Sequence, residues 1–391
     1  MDHNALQEAR SISAWLNDIF FRIHRHPELE RQEYQTQALI LAELERMGIE
    51  AKSIADTGVL GIIRGGKPGK TIAFRADMDA LPIQEETGLP YASQIPGVMH
   101  ACGHDAHVTM LLGAAKLLAD RKEELQGNVK LFFQPAEEGA GGAKRMIEAG
   151  CMEDPHVDSV FFGHCAADHP TGSVSIRPGF VSAASNPFTV TFRGKGAHGA
   201  SPHKSNDVIV AASHAVIALQ TVASRRTAPT DSVVISVGSL HAGTAGNVLP
   251  ETASLQGIIR TLDPNTRIRV TKDVRQIIEG IAAAMDVEAE IEIVEGYAST
   301  CNDESMTELV KHAAAALFGD SSVYHQPAPS LGTEDVGYFL QEAPGCYYHI
   351  GVGSKEKGFV YPVHNPRFAA DPDALPCGAA LYVQIAEEFL Q

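Results

Sequence analysis

The amino-acid sequence predicts an α/β protein in which a mostly parallel sheet domain is interrupted by a smaller ferredoxin-like domain. Three observations carry this prediction. The chain has 391 residues, more than the roughly 250–300 at which one hydrophobic core stops growing. Strand patterns alternate with helical patterns in residues 1–185 and again in residues 299–391. The intervening residues 186–298 follow the order β-α-β-β-α-β.

Two helices open the first domain. Apolar residues recur at helical spacing over residues 12–23, and Pro27 ends this helix because proline lacks the amide donor that a helix interior needs. A second helix is predicted over residues 34–47, with Gly48 as its cap. Short apolar runs, typical of buried strands, then alternate with helical segments. The strands are residues 59–63, 72–75, 129–133 and 159–162, and the helices are 108–119 and 143–149.

The pattern changes near Asn186, where a second domain begins. Its predicted strands are residues 187–192, 233–240, 252–262 and 287–294, and its predicted helices are 208–219 and 267–285. A block of this length can form a domain of its own. After residue 300 the α/β pattern returns, and the chain ends in an amphipathic helix over residues 379–390.

The charge of the chain excludes two classes of partner. The formal net charge is −17, from 31 Lys and Arg against 48 Asp and Glu, and no basic stretch offsets it. Nucleic acid and anionic membrane surfaces are therefore not expected to bind this protein.

Three features predict a cytoplasmic protein. The first ten residues lack the basic end and apolar run of a secretory signal. No run of about 18 apolar residues predicts a membrane span. The six cysteines form no Cys-X-X-Cys pair, which is typical of reduced thiols.

Four clusters of polar residues indicate a metal site. Three of them follow predicted strands, and ligands of open parallel sheets bind beyond the carboxyl ends of the strands. Singly, such residues are often helix caps or solvated faces. Their convergence favours a metal ion, because carboxylates beside buried strand ends need compensating charge. The clusters are Arg75 to Asp79, Gln134 to Glu138, Gly163-His164 and Met99 to His107.

These segments resemble those of an amidohydrolase and metallopeptidase family. That family includes hippurate hydrolase, N-acyl-L-amino-acid amidohydrolases of the aminoacylase type and indole-acetyl-amino-acid hydrolases. The matching segments span nearly the whole chain and keep the family's order. They are HRHPE from His24, RADMDALP from Arg75, MHACGHDAH from Met99, FQPAEEG from Phe133, GKGAHGASPH from Gly194, NVLP from Asn247 and HNPRF from His364.

The resemblance implies a set of metal ligands made of one thiolate, three imidazoles and one carboxylate. Such ligands suit Mn²⁺ or Zn²⁺, with Co²⁺ or Ni²⁺ as alternatives. They exceed what one open tetrahedral site needs, so we expect two ions per subunit. The implied ligands are Cys102, His104, Glu138, His164 and His364.

A distant branch, the aminoacylase and glutamate-carboxypeptidase group, has histidine at the position of Asp77, so the ligand set differs from that branch. Asp77, Asp79 and Asp105 are expected to support the ligands without binding metal. Because adjacent side chains of an extended segment diverge, Glu138 can bind metal while Glu137 faces the activated water. Glu137 is the predicted general base, which later delivers the proton to the leaving amine.

Three further roles follow from the resemblance. His198, a surface histidine in a glycine-rich turn if taken alone, is expected to donate to the oxyanion in the partner subunit's site of a homodimer. The inserted domain, residues 186–298, would form that dimer, and a higher homo-oligomer is the alternative. Asn247 and Arg260, otherwise a turn residue and an exposed strand residue, are expected to hold the substrate carboxylate.

The resemblance therefore predicts a metal-dependent amidohydrolase acting on N-acyl amino acids, of the hippurate or N-acetyl type. N-acetyl-diaminopimelate, aminobenzoyl-glutamate and indole-acetyl-amino acids are alternative substrates. Two other classes remain open. One is a metal-binding module without turnover, which an intact Glu137 disfavours. The other is a hydrolase with Cys102 as nucleophile beside a histidine.

Overall fold

A computed structural model describes residues 4–391, which form two compact units. The first unit runs up to Val181 and also contains Cys301–Ala328 and Asp335–Gln391. The second comprises Ser182–Thr300 and Pro329–Glu334. A large α/β sheet unit interrupted by a smaller one confirms the predicted fold class. A dimerisation role for the second unit stays a prediction.

Several helices begin at an aspartate whose side chain caps the free amides of the first turn. Asp207 accepts from Ile209 N, Asp263 from Thr266 N and Asp303 from Met306 N. The helices are α1 Ala5–Ser11, α2 Ser13–Arg25, α3 Tyr34–Arg46, α4 His104–Asp120, α5 Gly142–Glu148, α6 Val208–Thr221, α7 Pro264–Ala284, α8 Glu304–Phe318, α9 Gly337–Glu342 and α10 Ala374–Leu390.

The strands belong mainly to one large sheet in the first unit and one small sheet in the second. They are β1 Glu50–Ile54, β2 Gly58–Arg64, β3 Lys67–Asp77, β4 Gln126–Gln134, β5 Ser159–Pro170, β6 Val174–Ile176, β7 Gly179–Ser182, β8 Ala184–Arg193, β9 Ala197–His198, β10 Val233–Ala242, β11 Val248–Leu249, β12 Thr252–Thr261, β13 Glu288–Ile293, β14 Thr300–Asn302, β15 Val323–His325 and β16 Gly345–Gly353.

The large sheet has the order β1-β2-β4-β3-β5-β16-β6-β15. Its four central strands, β4, β3, β5 and β16, are parallel. Helices α4 and α10 are buried over almost their whole lengths against this sheet and against each other. A Cβ atom added at Gly113 of α4 would lie 2.8 Å from Cβ of Ala379 in α10, so this close helix contact needs glycine.

Two predicted strand ends are wrong. Strand β3 continues to Asp77 and β5 continues to Pro170, so Asp77 is the last residue of its strand and His164 lies inside its strand, rather than after the strands. Polar residues suggested strand ends because they are rare in buried strands. Here they are tolerated because buried partners satisfy them, as the site geometry shows.

The second unit is a four-stranded antiparallel sheet of order β10-β12-β8-β13, with α6 and α7 packed on one face. This is the β-α-β-β-α-β arrangement expected from the sequence. The outermost strands of the sheet are β10 and β13.

One described stretch, Val208–Arg226, is long and apolar enough to cross a membrane when judged by length and composition alone. A single such stretch is weak evidence, since core helices of other proteins pass the same test. Within the chain, 33% of it is buried.

Candidate metal centre

The structure brings the side chains of the five expected ligands together in the first unit. His104 is the first residue of α4, and His164 lies in β5. The ligand atoms of Cys102, His104 and His164 all lie within 4.8 Å of one another, as do those of Cys102, Glu138 and His364. Cys102 belongs to both groups, which suits two neighbouring ions that share one ligand.

Side-chain atoms of the candidate ligands lie close to one another at this centre. Sγ of Cys102 lies 3.4 Å from Nε2 of His164. Oε1 of Glu138 lies 3.2 Å from Nε2 of His364, an ion-pair distance without hydrogen-bond geometry, and 4.0 Å from Nε2 of His104. Sulfur, nitrogen and oxygen atoms therefore point at a common space.

The donor atoms at this centre fit a divalent metal ion. Nε2 of His104 and Oε1 of Glu138 are buried and have no hydrogen-bond partner among the described residues. Nδ1 of His104 donates to the Asp79 carbonyl oxygen at 2.8 Å, which leaves Nε2 facing the centre. Buried polar atoms without a hydrogen bond are costly, and a metal ion would satisfy both in place of a proton on Nε2 and of the ion pair with His364.

The pKa shifts reflect burial and the nearby carboxylates. Burial raises the pKa of the Cys102 thiol well above its usual range, and Glu138 and Glu137 raise it further. Burial lowers the pKa of His164 well below its usual value. For His104, burial acts to lower the pKa, but Asp77, Asp79 and Glu138 outweigh it and raise the pKa to about 10.

These surroundings disfavour Cys102 as a nucleophile. A nucleophilic cysteine needs its thiolate form, which electropositive surroundings stabilise. Cys102 is instead surrounded by carboxylates in a buried position. A metal ion would reverse this electrostatic balance and bind the thiolate.

Asp79 supports two of the ligands. Besides its carbonyl contact, its Oδ1 lies 3.2 Å from Nδ1 of His104, and its Oδ2 accepts from Glu138 N at 3.0 Å. Asp77 acts through His107, whose Nδ1 it binds, while Nε2 of His107 accepts from Cys165 N at 2.8 Å. Both ring nitrogens of His107 are therefore occupied, and Cys165 follows the expected ligand His164.

Asp105 lies behind the centre in a buried charge cluster. Its Oδ2 is 2.5 Å from Nδ1 of His24 in α2, and Nε2 of His24 is 3.3 Å from Oε1 of Glu85. Burial acts to lower the pKa of His24, but Asp105 and Glu85 outweigh it and raise the pKa to about 9. This cluster ties α2 to the first turn of α4 and accounts for His24 of the HRHPE segment.

Glu137 and Glu138 lie in a tight turn and not in the extended segment expected from the sequence. Ala136 has a φ of 56°, in the left-handed region, and its N–H donates to Oε1 of Glu33 at 2.9 Å. The turn places the carboxylates of Glu137 and Glu138 within 4.8 Å of the His104 ligand atom. Glu137 is buried, with 6% of its surface exposed. A carboxylate here is near enough to exchange a proton with a molecule at the centre.

The remaining expected residues lie in the second unit. His198 in β9 pairs with Val248 in β11, which follows Asn247. Nδ1 of His198 accepts from Ala200 N at 3.1 Å, so in the neutral ring Nε2 carries the proton. Arg260 lies in β12, and burial is what lowers the pKa of its guanidinium, which has no charged or hydrogen-bonded partner among the described residues.

Sequence reasoning missed a second layer of buried residues. Arg75 and Gln134 appeared only as members of their clusters, and Asp335 was not singled out. Arg75 carried a usable signal, since a charged residue inside an apolar strand needs a buried partner. Asp335, separated from Arg75 by 260 positions, carried none.

A mostly parallel sheet with a buried set of thiol, imidazole and carboxylate groups among its strands and helix starts defines a metal-dependent hydrolase. The family can be stated more closely. Residues 73–388 match the Peptidase family M20/M25/M40, and the chain belongs to this family. The resemblance seen in the sequence is thereby confirmed, as is a hydrolase that acts on amide bonds.

Similar proteins extend over nearly the whole chain. Thermostable carboxypeptidase 1 of Saccharolobus solfataricus is 40% identical over 387 residues, which is 98% of this chain and 97% of that protein. N-acetyl-L-cysteine deacetylase of Bacillus subtilis is 40% identical over 354 residues, covering 90% and 83%. IAA-amino acid hydrolase ILR1-like 4 of Arabidopsis thaliana is 39% identical over 381 residues, covering 96% and 86%.

A solved structure shares the fold. The YXEP protein of Bacillus subtilis, described as a dinuclear metal-binding peptidase of the M20 family, is similar with a TM-score of 0.84 and 33% identity. The similarity covers 97% of this chain and 99% of that one.

Proposed function

We propose that the protein hydrolyses the amide bond of N-acyl amino acids, of the hippurate or N-acetyl type, releasing a carboxylic acid and a free amino acid. The observation that carries the proposal is the convergence of the ligand atoms of Cys102, His104, Glu138, His164 and His364 beside Glu137. The relatives named as a deacetylase of N-acetyl-L-cysteine and a hydrolase of IAA-amino acids support this substrate class.

The residues are proposed to divide the chemistry as follows. A divalent metal held by the five ligands would lower the pKa of a water toward about 7 and polarise the scissile carbonyl. Glu137 takes the proton of the attacking water and delivers it to the amide nitrogen, so that the amine can leave. Burial of Glu137 excludes competing bulk water from this transfer.

Binding of the amino-acid carboxylate is assigned to Asn247 and Arg260. The guanidinium of Arg260 is half-buried and has no partner among the described residues, and burial lowers its pKa. A desolvated cation without a partner gains from a bidentate carboxylate. This accounts for a preference for amides whose amine product is an amino acid.

His198 is proposed to stabilise the oxyanion of the partner subunit's site in a homodimer. Its exposed ring offers Nε2–H as a donor while Nδ1 is held by Ala200 N. The second unit presents the free edge strands β10 and β13, and pairing of one edge between two copies would form a two-fold dimer.

A second candidate function is removal of a C-terminal amino acid from a peptide. The carboxypeptidase of Saccharolobus solfataricus, 40% identical, favours it. Both reactions release an amino acid with a free carboxylate, so they differ only in the acyl group. Aminobenzoyl-glutamate and indole-acetyl-amino acids also differ in the acyl group, whereas N-acetyl-diaminopimelate keeps the acetyl group and differs in the amine that is released. The proposed location of the reaction is the cytoplasm.

A substrate panel tests the proposal. Metal-free protein is reconstituted with Mn²⁺, Zn²⁺, Co²⁺ or Ni²⁺ and assayed with hippurate, N-acetyl amino acids, indole-acetyl amino acids and dipeptides. We expect hydrolysis of the small N-acyl amino acids with at least one metal and none without metal. Faster turnover of dipeptides would favour the carboxypeptidase, and full activity in verified metal-free protein would refute the proposal.

A further inference from the structure

A buried network of charged and amide groups lies beneath the metal centre. Arg75 of β3 is fully buried, and its guanidinium packs over the ring of Phe162 at 4.2 Å. It donates hydrogen bonds to Oε1 of Gln134 at 2.8 Å, Oδ2 of Asp77 at 2.7 Å and Oδ1 of Asp335 at 2.9 Å. One planar group thus joins two strands and the segment before α9.

Asp335 and Gln134 fix the orientation of that guanidinium. Nε2 of Gln134 donates to both carboxylate oxygens of Asp335 at 2.8 Å. Ala143 N donates to Oδ2 of Asp335 at 3.0 Å. Arg75, Gln134 and Asp335 therefore form a closed triangle of hydrogen bonds, and such satisfied buried networks are rigid.

The rigid guanidinium faces a carboxylate that adjoins the metal ligands. Oδ2 of Asp77, which Arg75 binds, lies only 3.5 Å from Nε2 of His104. Oδ1 of Asp77 binds Nδ1 of His107. Both oxygens of Asp77 are therefore held by protein groups although the carboxylate is near enough to reach an ion bound by His104.

A carboxylate at this distance would ordinarily be a good metal ligand. Oxygen ligands favour Mn²⁺, whereas thiolate and imidazole favour Zn²⁺. We propose that Arg75, oriented by Gln134 and Asp335, is a positioning residue that holds Asp77 out of the metal's coordination sphere. The ion beside His104 then takes Cys102 sulfur and imidazole nitrogen instead of a further carboxylate.

The inference rests on the proposed metal-dependent function but concerns a residue that does not contact metal. Loss of the guanidinium would leave Asp77 as a buried carboxylate without its counter-ion. Coordination of the metal ion by Asp77 would supply the positive charge that the carboxylate has lost. Arg75→Met should therefore let Asp77 join the centre and shift its preference from Zn²⁺ toward Mn²⁺.

Cobalt spectroscopy of the metal-loaded protein tests the inference independently of turnover. Co²⁺ bound to thiolate and imidazole absorbs visibly, and the intensity of its ligand-field bands falls as coordination number rises. We expect weaker bands in Arg75→Met than in the wild type, and a ratio of Zn²⁺ to Mn²⁺ affinity lowered about 10- to 100-fold. The double variant Arg75→Met with Asp77→Asn should regain the wild-type band intensity.

Two controls and a second Arg75 variant make every outcome informative. Arg64→Met removes an exposed arginine at the end of β2 and should leave the spectrum unchanged. Arg75→Lys is the second variant, should Arg75→Met not fold. It keeps the buried charge but lacks the planar fork that holds Gln134, Asp77 and Asp335 together, so it should shift the spectrum in the same direction by a smaller amount. Asp77→Asn alone should leave the band intensity as in the wild type.

The failures are distinguishable. Wild-type protein that binds no cobalt and hydrolyses no amide refutes the proposed function. Wild-type protein that binds cobalt refutes the inference alone if its spectrum and affinity ratio persist in the Arg75 variants. A spectrum altered by Asp77→Asn alone would also overturn it, because Asp77 would already be a ligand.

Discussion

Replacement of His24 by leucine should destabilise the protein in a pH-dependent way. The His24 ring is 1% exposed and lies between the carboxylates of Asp105 and Glu85, at 2.5 and 3.3 Å. Burial opposes protonation of this ring, but the two carboxylates raise its pKa from 6.5 to about 9. At about 1.4 kcal/mol for each pH unit between these values, the charged ring contributes about 3 kcal/mol. Removing one partner of a buried ion pair costs a similar amount, about 3–5 kcal/mol.

The sign of the pH dependence follows from the direction of the shift. A pKa that is higher in the folded state gives a contribution that is complete below pH 6.5 and is lost as the pH rises through about 9. The stability difference between wild type and His24→Leu should therefore be about 3 kcal/mol at pH 6 and small at pH 10.

Guanidinium denaturation at fixed metal content measures this difference. The single tryptophan, Trp15, lies in α2 with His24 and reports unfolding of that region by fluorescence. His312→Leu is the control, because His312 is exposed and contacts Glu388 at the surface. A loss below about 1 kcal/mol at pH 6, or an equal loss at pH 6 and pH 10, would show that the buried charge cluster does not act as described.

Four further outcomes are expected. His104→Ala should weaken metal binding about 10-fold or more, measured by metal analysis after dialysis, because removal of a residue that only supports a ligand already weakens binding about 10-fold. Unchanged metal content would remove His104 from the ligand set. Glu137→Gln should lower kcat about 10²-fold or more with normal metal content, and near-normal turnover would mean that the base is another residue. Arg260→Lys should raise KM more than it lowers kcat for N-acetyl amino acids, since it loses the bidentate fork, and an unchanged KM would argue against carboxylate binding. Mixing inactive His198→Ala with inactive Glu137→Gln subunits should restore up to about half of the sites in each mixed dimer; no recovery after verified subunit exchange would refute a shared site.

The sequence predicted the alternation of strands and helices well because apolar periodicity records burial directly. It failed at the ends of β3 and β5, where Asp77 and His164 are buried polar residues that belong to the strands. Local pattern cannot reveal the distant groups that satisfy such residues, here Arg75 and His107 for Asp77.

The same limit explains why the sequence revealed the proposed metal ligands but not the buried network around Arg75. The proposed ligands stand in short dense segments such as Met99 to His107, where residue types alone indicate metal chemistry. Asp335 contacts Arg75 across 260 positions and stands outside the strands, beside Glu334, where adjacent carboxylates are typical of a solvated loop. Long-range hydrogen bonds of this kind follow from the tertiary fold, which periodicity does not specify.

The order in which the ribosome makes these residues has a consequence for the newly made chain. His104 and His164 are synthesised before the second unit. His364 and helix α10, which packs against α4, are synthesised after it. About 200 residues separate His164 from His364. At about 5–20 residues per second, translation of that interval takes about 10–40 s. Throughout this time Glu138 lacks His364 and α4 lacks α10, and for most of it Arg75 lacks its partner Asp335. The second unit, whose own sheet and helices are contiguous in sequence, has all of its main elements available before the first unit can close.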